Sequence, residues 1–214
     1  MSSGSFSSGP EPWLRAALEF KERLRHACAF EHPYSAGRGL LSSGRPASVL
    51  MLWGLSSRLG EGFEPHVLLV KRSETVGTHQ GQMAFPGGAR DASDHSVEHT
   101  ALREAHEEVG ILEDQIEILG TLPVLWTPTG FQITPVLGWV REPFEDLDLR
   151  VDGHELSQAL WVSRSRLLAT YRRESRQWGA IRYPTEVFLE EPYRVWGATG
   201  AILKNLLERL ERLG

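Results

Sequence analysis

Three glutamates, Glu104, Glu107 and Glu108, fall at i, i+3 and i+4 in the run Arg103-Glu104-Ala105-His106-Glu107-Glu108-Val109. On an α-helix that spacing sets their carboxylates on one face. Like charges so close repel unless a cation lies between them. Hard divalent ions such as Mg²⁺ take several oxygen ligands and keep waters and substrate phosphates in the rest of their shell. Taken singly, each glutamate reads as a solvated charge, with Arg103 and Glu107 forming an ordinary i, i+4 pair. Three together, just downstream of Pro86-Gly87-Gly88, point to metal-assisted phosphate chemistry. Glu104, Glu107, Glu108 and the backbone carbonyl of Gly88 are the expected ligands of one or more Mg²⁺ or Mn²⁺ ions.

These groups need a turn and a helix to hold them. Pro86 fixes φ, and Gly87-Gly88 permit backbone shapes closed to other residues. A loop rich in Asp and Ser follows, then a helix expected from about Ser96 to Val109, with Gly110 as its stop. Ala101, Leu102, Ala105 and Val109 form its buried face. Upstream, Ala47–Leu55 and His66–Arg72 read as buried strands around a turn at Gly60–Pro65. Downstream, Ile116–Leu125 and Phe131–Val140 read as an antiparallel pair around Thr127-Pro128-Thr129-Gly130. A charged loop, Arg141–Asp152, leads to Glu155, a strand over Ala159–Val162 and a short helix. A final strand is expected over Arg182–Leu189, and then an amphipathic helix in which Ile202, Leu203, Leu206, Leu207, Leu210 and Leu213 recur at helical spacing.

Residues 1–11 are Ser/Gly-rich and expected as a disordered tail. A helix from Pro12 to about Phe30 offers Leu14, Ala17, Leu18, Leu24 and Cys28 as a partial apolar face, and a loop runs over 31–46. The helix covers the domain or makes a homodimer contact; the sequence leaves both open. The main domain spans 47–214.

The run from Arg103 to Ile111 matches the second half of the Nudix box, G-x5-E-x7-R-E-U-x-E-E-x-G-U, with Ala105 at its first U. After Gly88 and five intervening residues comes Asp94 where the box has Glu, and eight rather than seven residues then precede Arg103. That insertion, with GGxxDxxDxS, resembles the Nudix branch that includes the coenzyme A pyrophosphatases. A second signature of that branch, LLTxR(S/A)x3Rx3Gx3FPGG, is matched by Leu68, Leu69, Arg72, Ser73, Gly81 and Phe85-Pro86-Gly87-Gly88, with Val70 for its Thr and Gly77 for its second Arg. The VWGATGAIL run resembles the branch's C-terminal helix, so the resemblance extends from about residue 47 to the end. It implies an α/β/α sandwich with a mixed central sheet, and Arg103 as the residue that orients the carboxylates. Nudix proteins often carry a glutamate like Glu155 near the metal site, which makes Glu155 a candidate general base or extra ligand beside its reading as a surface charge.

Arg72, at a strand end just before the site, is a candidate phosphate contact. His79 and Gln82 are hydrogen-bonding partners in the first instance and substrate contacts in the second. Phe131, with Trp126, could stack on a nucleotide base or simply rim the core. The base in the reaction is Glu104, Glu155 or a metal-bound hydroxide, and the sequence does not choose.

Two hundred and fourteen residues suffice for one well-buried domain with terminal additions. A net charge of −5 argues against a general nucleic-acid binder. No run approaches the roughly 18 apolar residues of a membrane span. The single cysteine, Cys28, excludes an internal disulfide, and the cytoplasm is the expected compartment. The small-molecule substrate expected by resemblance is coenzyme A, cleaved to 3′,5′-ADP and 4′-phosphopantetheine. ADP-ribose, NDP-sugars, NADH and dinucleoside polyphosphates are alternatives within the same chemistry, and a nucleotide-sensing domain without turnover is the alternative outside it.

Overall fold

Strand pairing decides this architecture, because one strand takes partners on both of its edges. In chain order the elements are α1 (Pro12–Ala29), β1 (Arg45–Leu55), β2 (Pro65–Arg72), β3 (Met83–Ala84), β4 (Gly87–Ala89), α2 (Val97–Val109), β5 (Ile116–Thr121), β6 (Leu125–Trp126), β7 (Phe131–Val140), β8 (Leu156–Ser163), α3 (Arg164–Thr170), β9 (Arg172–Trp178), β10 (Ile181–Val187) and α4 (Gly197–Arg212). The computed structural model describes residues 12–29, 44–56, 64–74, 81–151, 153–178, 181–189 and 191–213.

β1 runs parallel to β7 from Arg45↔Phe131 to Trp53↔Trp139. Its other edge is shared. β2 pairs with β1 only at Trp53↔Val67, Gly54↔His66 and Leu55↔Pro65. Beyond that the two strands diverge, since β8 occupies the far edge of β2 while β3 takes the near edge at Val70↔Ala84 and Lys71↔Met83. β4 meanwhile pairs with β1 at Ala47↔Ala89, Ser48↔Gly88 and Val49↔Gly87. The segment 83–89 therefore fills the fork between β1 and β2. Only glycine fits at 87, where a Cβ would lie 2.6 Å from the Val49 Cα.

Alternation along β1 sends side chains to two separate cores. Met51 and Trp53 join Phe20 and Leu24 of α1 and Ile202, Leu203, Leu206 and Leu210 of α4. Leu50 and Leu52 join Ala101, Ala105 and Val109 of α2. Each fully buried aliphatic side chain contributes about 1.5–3 kcal/mol. The result is the expected α/β/α sandwich with a mixed central sheet. α1 lies on its own domain: Lys21 and Arg25 pair with Glu117 on β5, and the buried Arg209 of α4 donates to the Ala27 carbonyl at 2.7 Å. Leu14 and Leu18 remain exposed. Cys28 packs against Gly120, and burial pushes its thiol up to about 11. Among the described residues no helix is long and apolar enough to cross a membrane.

Three expectations change. The strand expected over Ile116–Leu125 divides into β5 and β6, because the ladder with β7 slips between Ile118 and Gly120 and Pro123 then supplies no N–H. The final strand is the second of a hairpin, with β9 paired to β10 apart from the main sheet. Within the charged loop, Phe144–Asp146 forms a 3₁₀ turn. The tail at 1–11, much of the loop at 31–46 and most of the turn at 60–65 lie outside the described residues.

Candidate active site

Helix α2 starts and stops where local chemistry dictates. The Ser96 side chain accepts the His99 N–H at 3.1 Å, and Gly110, at φ 77°, closes the other end by donating to the His106 carbonyl. With Ala101, Ala105 and Val109 packed under the sheet, the glutamate face turns towards the glycines of the fork. The Gly87 N–H donates to Glu108 Oε2 at 2.9 Å. A Cβ on Gly88 would lie 2.5 Å from the Glu104 carboxyl carbon, so that carboxylate rests directly on the backbone of the turn.

Arg103 is the hub of the opposite side. Its Nε and Nη2 each donate to Asp94, both at 3.0 Å, Nη2 also reaches the Ala89 carbonyl at 3.2 Å, and Nη1 donates to Glu107 at 3.0 Å. Glu104 Oε1 lies 2.9 Å from the same Nη2. The Asp94 side chain is fully buried and accepts the Asp91 N–H as well, at 2.8 Å. The Arg103 hydrogen bonds hold its carboxyl well below the usual carboxylate range, despite burial. The same bonds keep Arg103 firmly charged.

The glutamates facing the glycines shift the other way. Burial pushes Glu104 up, Arg103 opposes, and the charges of Glu107 and Asp94 add repulsion. Burial pushes Glu108 up to about 7, against the Gly87 N–H and Arg72, and with repulsion from Glu104 and Glu155. Arg72 follows Leu68 and Val70 onto the α2 face of the sheet, and its buried Nε has no hydrogen-bond partner among the described residues. The backbone carries neighbours to the same corner: the Arg72 N–H donates to the Gln82 carbonyl at 3.0 Å and the Ser73 N–H to the Glu155 carbonyl at 2.8 Å.

Glu104, Glu108, Arg103, Gly88, Arg72 and Glu155 thus share one region, with Gln82 placed there by its backbone. Glu107 is exposed and tied to Arg103, so its pairing with Arg103 is real alongside any further role. Phe131 faces Arg45 in register, three residues along β1 from the Ser48↔Gly88 pair, about 10 Å away at ~3.3 Å per residue. Trp126 lies against the start of β1, where a Cβ on Gly44 would be 3.2 Å from its ring. His79 and Gly77 lie outside the described residues. Sequence reasoning missed the Asp94 clamp on Arg103. Its only advance signal was an acidic residue in the loop before the helix.

The family profile described as NUDIX domain matches residues 57–182. The chain belongs to the Nudix family. The Nudix hydrolase NudL of Citrobacter koseri is 41% identical over 149 residues, covering 66% of this chain and 73% of that protein. NudL of Pectobacterium atrosepticum is 38% identical over 147 residues, covering 66% and 73%. Among solved structures, the Nudix hydrolase RenU of M. smegmatis aligns with a TM-score of 0.54 at 21% identity, over 81% of this chain and 90% of that one, a likeness of fold. The chain is a Nudix pyrophosphohydrolase that cleaves the pyrophosphate bond of a nucleoside diphosphate derivative.

Nudix hydrolases generally use divalent metal ions. Among the described residues no three His, Cys, Asp or Glu side chains are gathered into a finished cage. The donors nonetheless suit a hard cation: they are all oxygen, and two of them are carboxylates shielded from water beside a glycine backbone. Mutual repulsion of that kind is what a bound cation relieves.

Proposed function

We propose that this hydrolase acts on coenzyme A, releasing 3′,5′-ADP and 4′-phosphopantetheine, with Mg²⁺ or Mn²⁺ held by Glu104, Glu107, Glu108 and the Gly88 carbonyl. The observation that carries the substrate reading is Arg72. It stands in the Leu68-Leu69-x-x-Arg72-Ser73 run ahead of Phe85-Pro86-Gly87-Gly88, on the α2 face, with a buried Nε that has no hydrogen-bond partner among the described residues. A guanidinium in that state suits a phosphate oxygen through charge-assisted hydrogen bonds.

Divalent ions, when bound, supply charge neutralisation and a more acidic water. The remaining work falls to the chain. Arg103, fixed by Asp94, keeps Glu104 turned to the glycine turn. Arg72 orients the diphosphate, and Gln82 borders it. Glu155, exposed and within electrostatic reach of Glu108, takes the proton of the attacking water. Phe131, beyond the glycines, offers its ring to the base of the nucleotide.

The test is a hydrolysis screen of the purified protein with Mg²⁺ or Mn²⁺, with Glu108→Gln as the blank. The substrates are coenzyme A, ADP-ribose, NADH, NDP-sugars and diadenosine polyphosphates, with products resolved by chromatography. Coenzyme A should lead in kcat/KM. A lead for another diphosphate discards the substrate and keeps the chemistry. Nucleotide binding with no turnover would sink the catalytic reading in favour of a sensor.

A further inference from the structure

Arg90, two residues past Gly88, makes contacts that the chemistry above does not use. Its backbone N–H donates to the Pro46 carbonyl at 2.9 Å, which carries the β4–β1 ladder one residue beyond Ala47↔Ala89. Its guanidinium turns to the following loop and donates twice to the Asp94 carbonyl oxygen, from Nη2 at 2.9 Å and from Nε at 3.2 Å. Hydrogen bonds from a charged donor are about twice as strong as those between neutral groups. The loop gripped in this way is itself stapled. The Asp94 N–H donates to the Asp91 carbonyl at 3.1 Å and the Asp91 N–H to Asp94 Oδ2 at 2.8 Å. The Ser93 N–H and hydroxyl both donate to Asp91 Oδ1. A grip on the Asp94 carbonyl therefore holds the whole turn.

Two arginines thus hold Asp94 from its two ends. Arg90 takes the main chain, and Arg103 takes the carboxylate, with the Thr100 side chain as a further partner. The contacts close a circuit. From Gly88 the backbone runs two residues to Arg90, Arg90 reaches Asp94, and Asp94 reaches Arg103. Arg103 Nη2 lies 2.9 Å from Glu104 Oε1, and the Glu104 carboxylate rests on Gly88. Arg103 also has a direct tie to β4 through the Ala89 carbonyl at 3.2 Å. That tie comes from Nη2, whose two hydrogens already serve Asp94 and Glu104, so it is divided among three acceptors. The Arg90 link is undivided. We propose that Arg90 is a positioning residue: by binding the Asp94 carbonyl it fixes the Asp94–Arg103 clamp against β4, and so sets the Glu104 carboxylate at its distance from the Gly88 backbone. Arg90 itself touches neither substrate nor metal. The proposal rests on the metal-dependent hydrolase reading and not on the choice of coenzyme A.

The experiment compares wild type with Arg90→Met, which removes the donors, and Arg90→Lys, which restores the charge and one donating nitrogen. Amide hydrogen exchange of the metal-free proteins reads the loop. Mn²⁺ binding without substrate is followed by the EPR signal of free Mn²⁺, and kcat and KM are measured on whichever diphosphate the enzyme prefers. In Arg90→Met the Asp91 and Asp94 amides should exchange about 10-fold faster, while those of β1 and β7 keep their rates. Mn²⁺ binding should weaken about 10-fold, as loss of a group supporting metal ligands does. The same variant should lower kcat by a similar factor with KM nearly unchanged, and Arg90→Lys should recover part of each loss. Added to Asp94→Asn, Arg90→Met should lower kcat by less than about 2-fold more, because it acts through Asp94. A fall in Tm with unchanged Mn²⁺ affinity and kcat would overturn the proposal, leaving a surface brace only. So would a rise in KM alone, which would make Arg90 a substrate contact, or an equal loss of kcat in both backgrounds. The exchange rates stand by themselves should Asp94→Asn fail to fold or the wild type bind no Mn²⁺: faster exchange at Asp91 and Asp94 supports the grip, and unchanged exchange sinks it. Absence of Mn²⁺ binding by wild type counts against the metal reading and is thus distinguishable from failure of the grip.

Discussion

Asp94 and Glu108 are both carboxylates shielded from water, one in the loop before α2 and one in its last turn, yet their acidities move in opposite directions. Desolvation penalises the charged form of each. At Asp94 the penalty is outweighed by the Arg103 guanidinium and the Asp91 N–H. At Glu108 one backbone N–H and a more distant Arg72 do not offset burial and the charges of Glu104 and Glu155. Partner supply, and not burial, separates the carboxylate held charged by Arg103 from the one whose pKa is pushed up.

The sharpest way to break this comparison is Glu108→Gln. Removing this charge should cost activity about 10²- to 10³-fold, corresponding to several kcal/mol of transition-state stabilisation. At neutral pH the metal-free variant should melt no lower than wild type. A large drop in Tm with activity retained would invert the two roles.

Asp94→Asn should do the reverse in the stability column. It leaves the Arg103 charge without its main partner, and breaking such a buried pair costs about 3–5 kcal/mol. The low end, about 3, is expected because Glu104 and Glu107 still face the guanidinium. Urea denaturation would measure it.

Stability against pH sharpens the contrast. The raised pKa of Glu108 gives a contribution that is full below its ordinary value of 4.5 and is lost as pH rises through about 7. Asp94, lowered, contributes above its ordinary value of 3.8 and loses that contribution only as pH falls well below it. Melting curves of metal-free protein should therefore show a decline between pH 4.5 and about 7 that flattens in Glu108→Gln. A decline of the same size in the variant would assign it to another group.

The smallest effect belongs to Glu107→Gln. Its side chain is 56% exposed and its bond to Arg103 is an i, i+4 surface pair, so stability should change by no more than about 0.5 kcal/mol. Its loss of activity should be smaller than that of Glu108→Gln. Equal losses would mean that Glu107 turns inward in the working enzyme.

Much of this was legible in the chain, for reasons that differ by element. α2 announced itself through Ser96, Gly110 and the apolar spacing of Ala101, Leu102, Ala105 and Val109. β1, β2 and β7 are apolar runs buried on both faces. β3 and β4 were not readable, because two- and three-residue ladders around Pro-Gly-Gly carry no periodic signal. β9, Arg172–Trp178, hid behind its polarity: among the described residues it pairs only with β10 and is held by charges such as Arg172–Glu174 and Arg173–Glu186. The glutamate cluster followed from helical spacing alone. The Asp94–Arg103 clamp did not, since a loop of unknown path separates the partners.

The family profile begins at residue 57, just after β1 ends. A chain started there would lose the strand that β7, β2 and β4 all lean on, and would present their unpaired N–H and C=O groups as a template for neighbouring molecules. It would also leave Arg209 without the Ala27 carbonyl it binds beneath α1. The stretch matched by the family profile therefore lacks the strand its sheet is built on, and a version trimmed to it should precipitate.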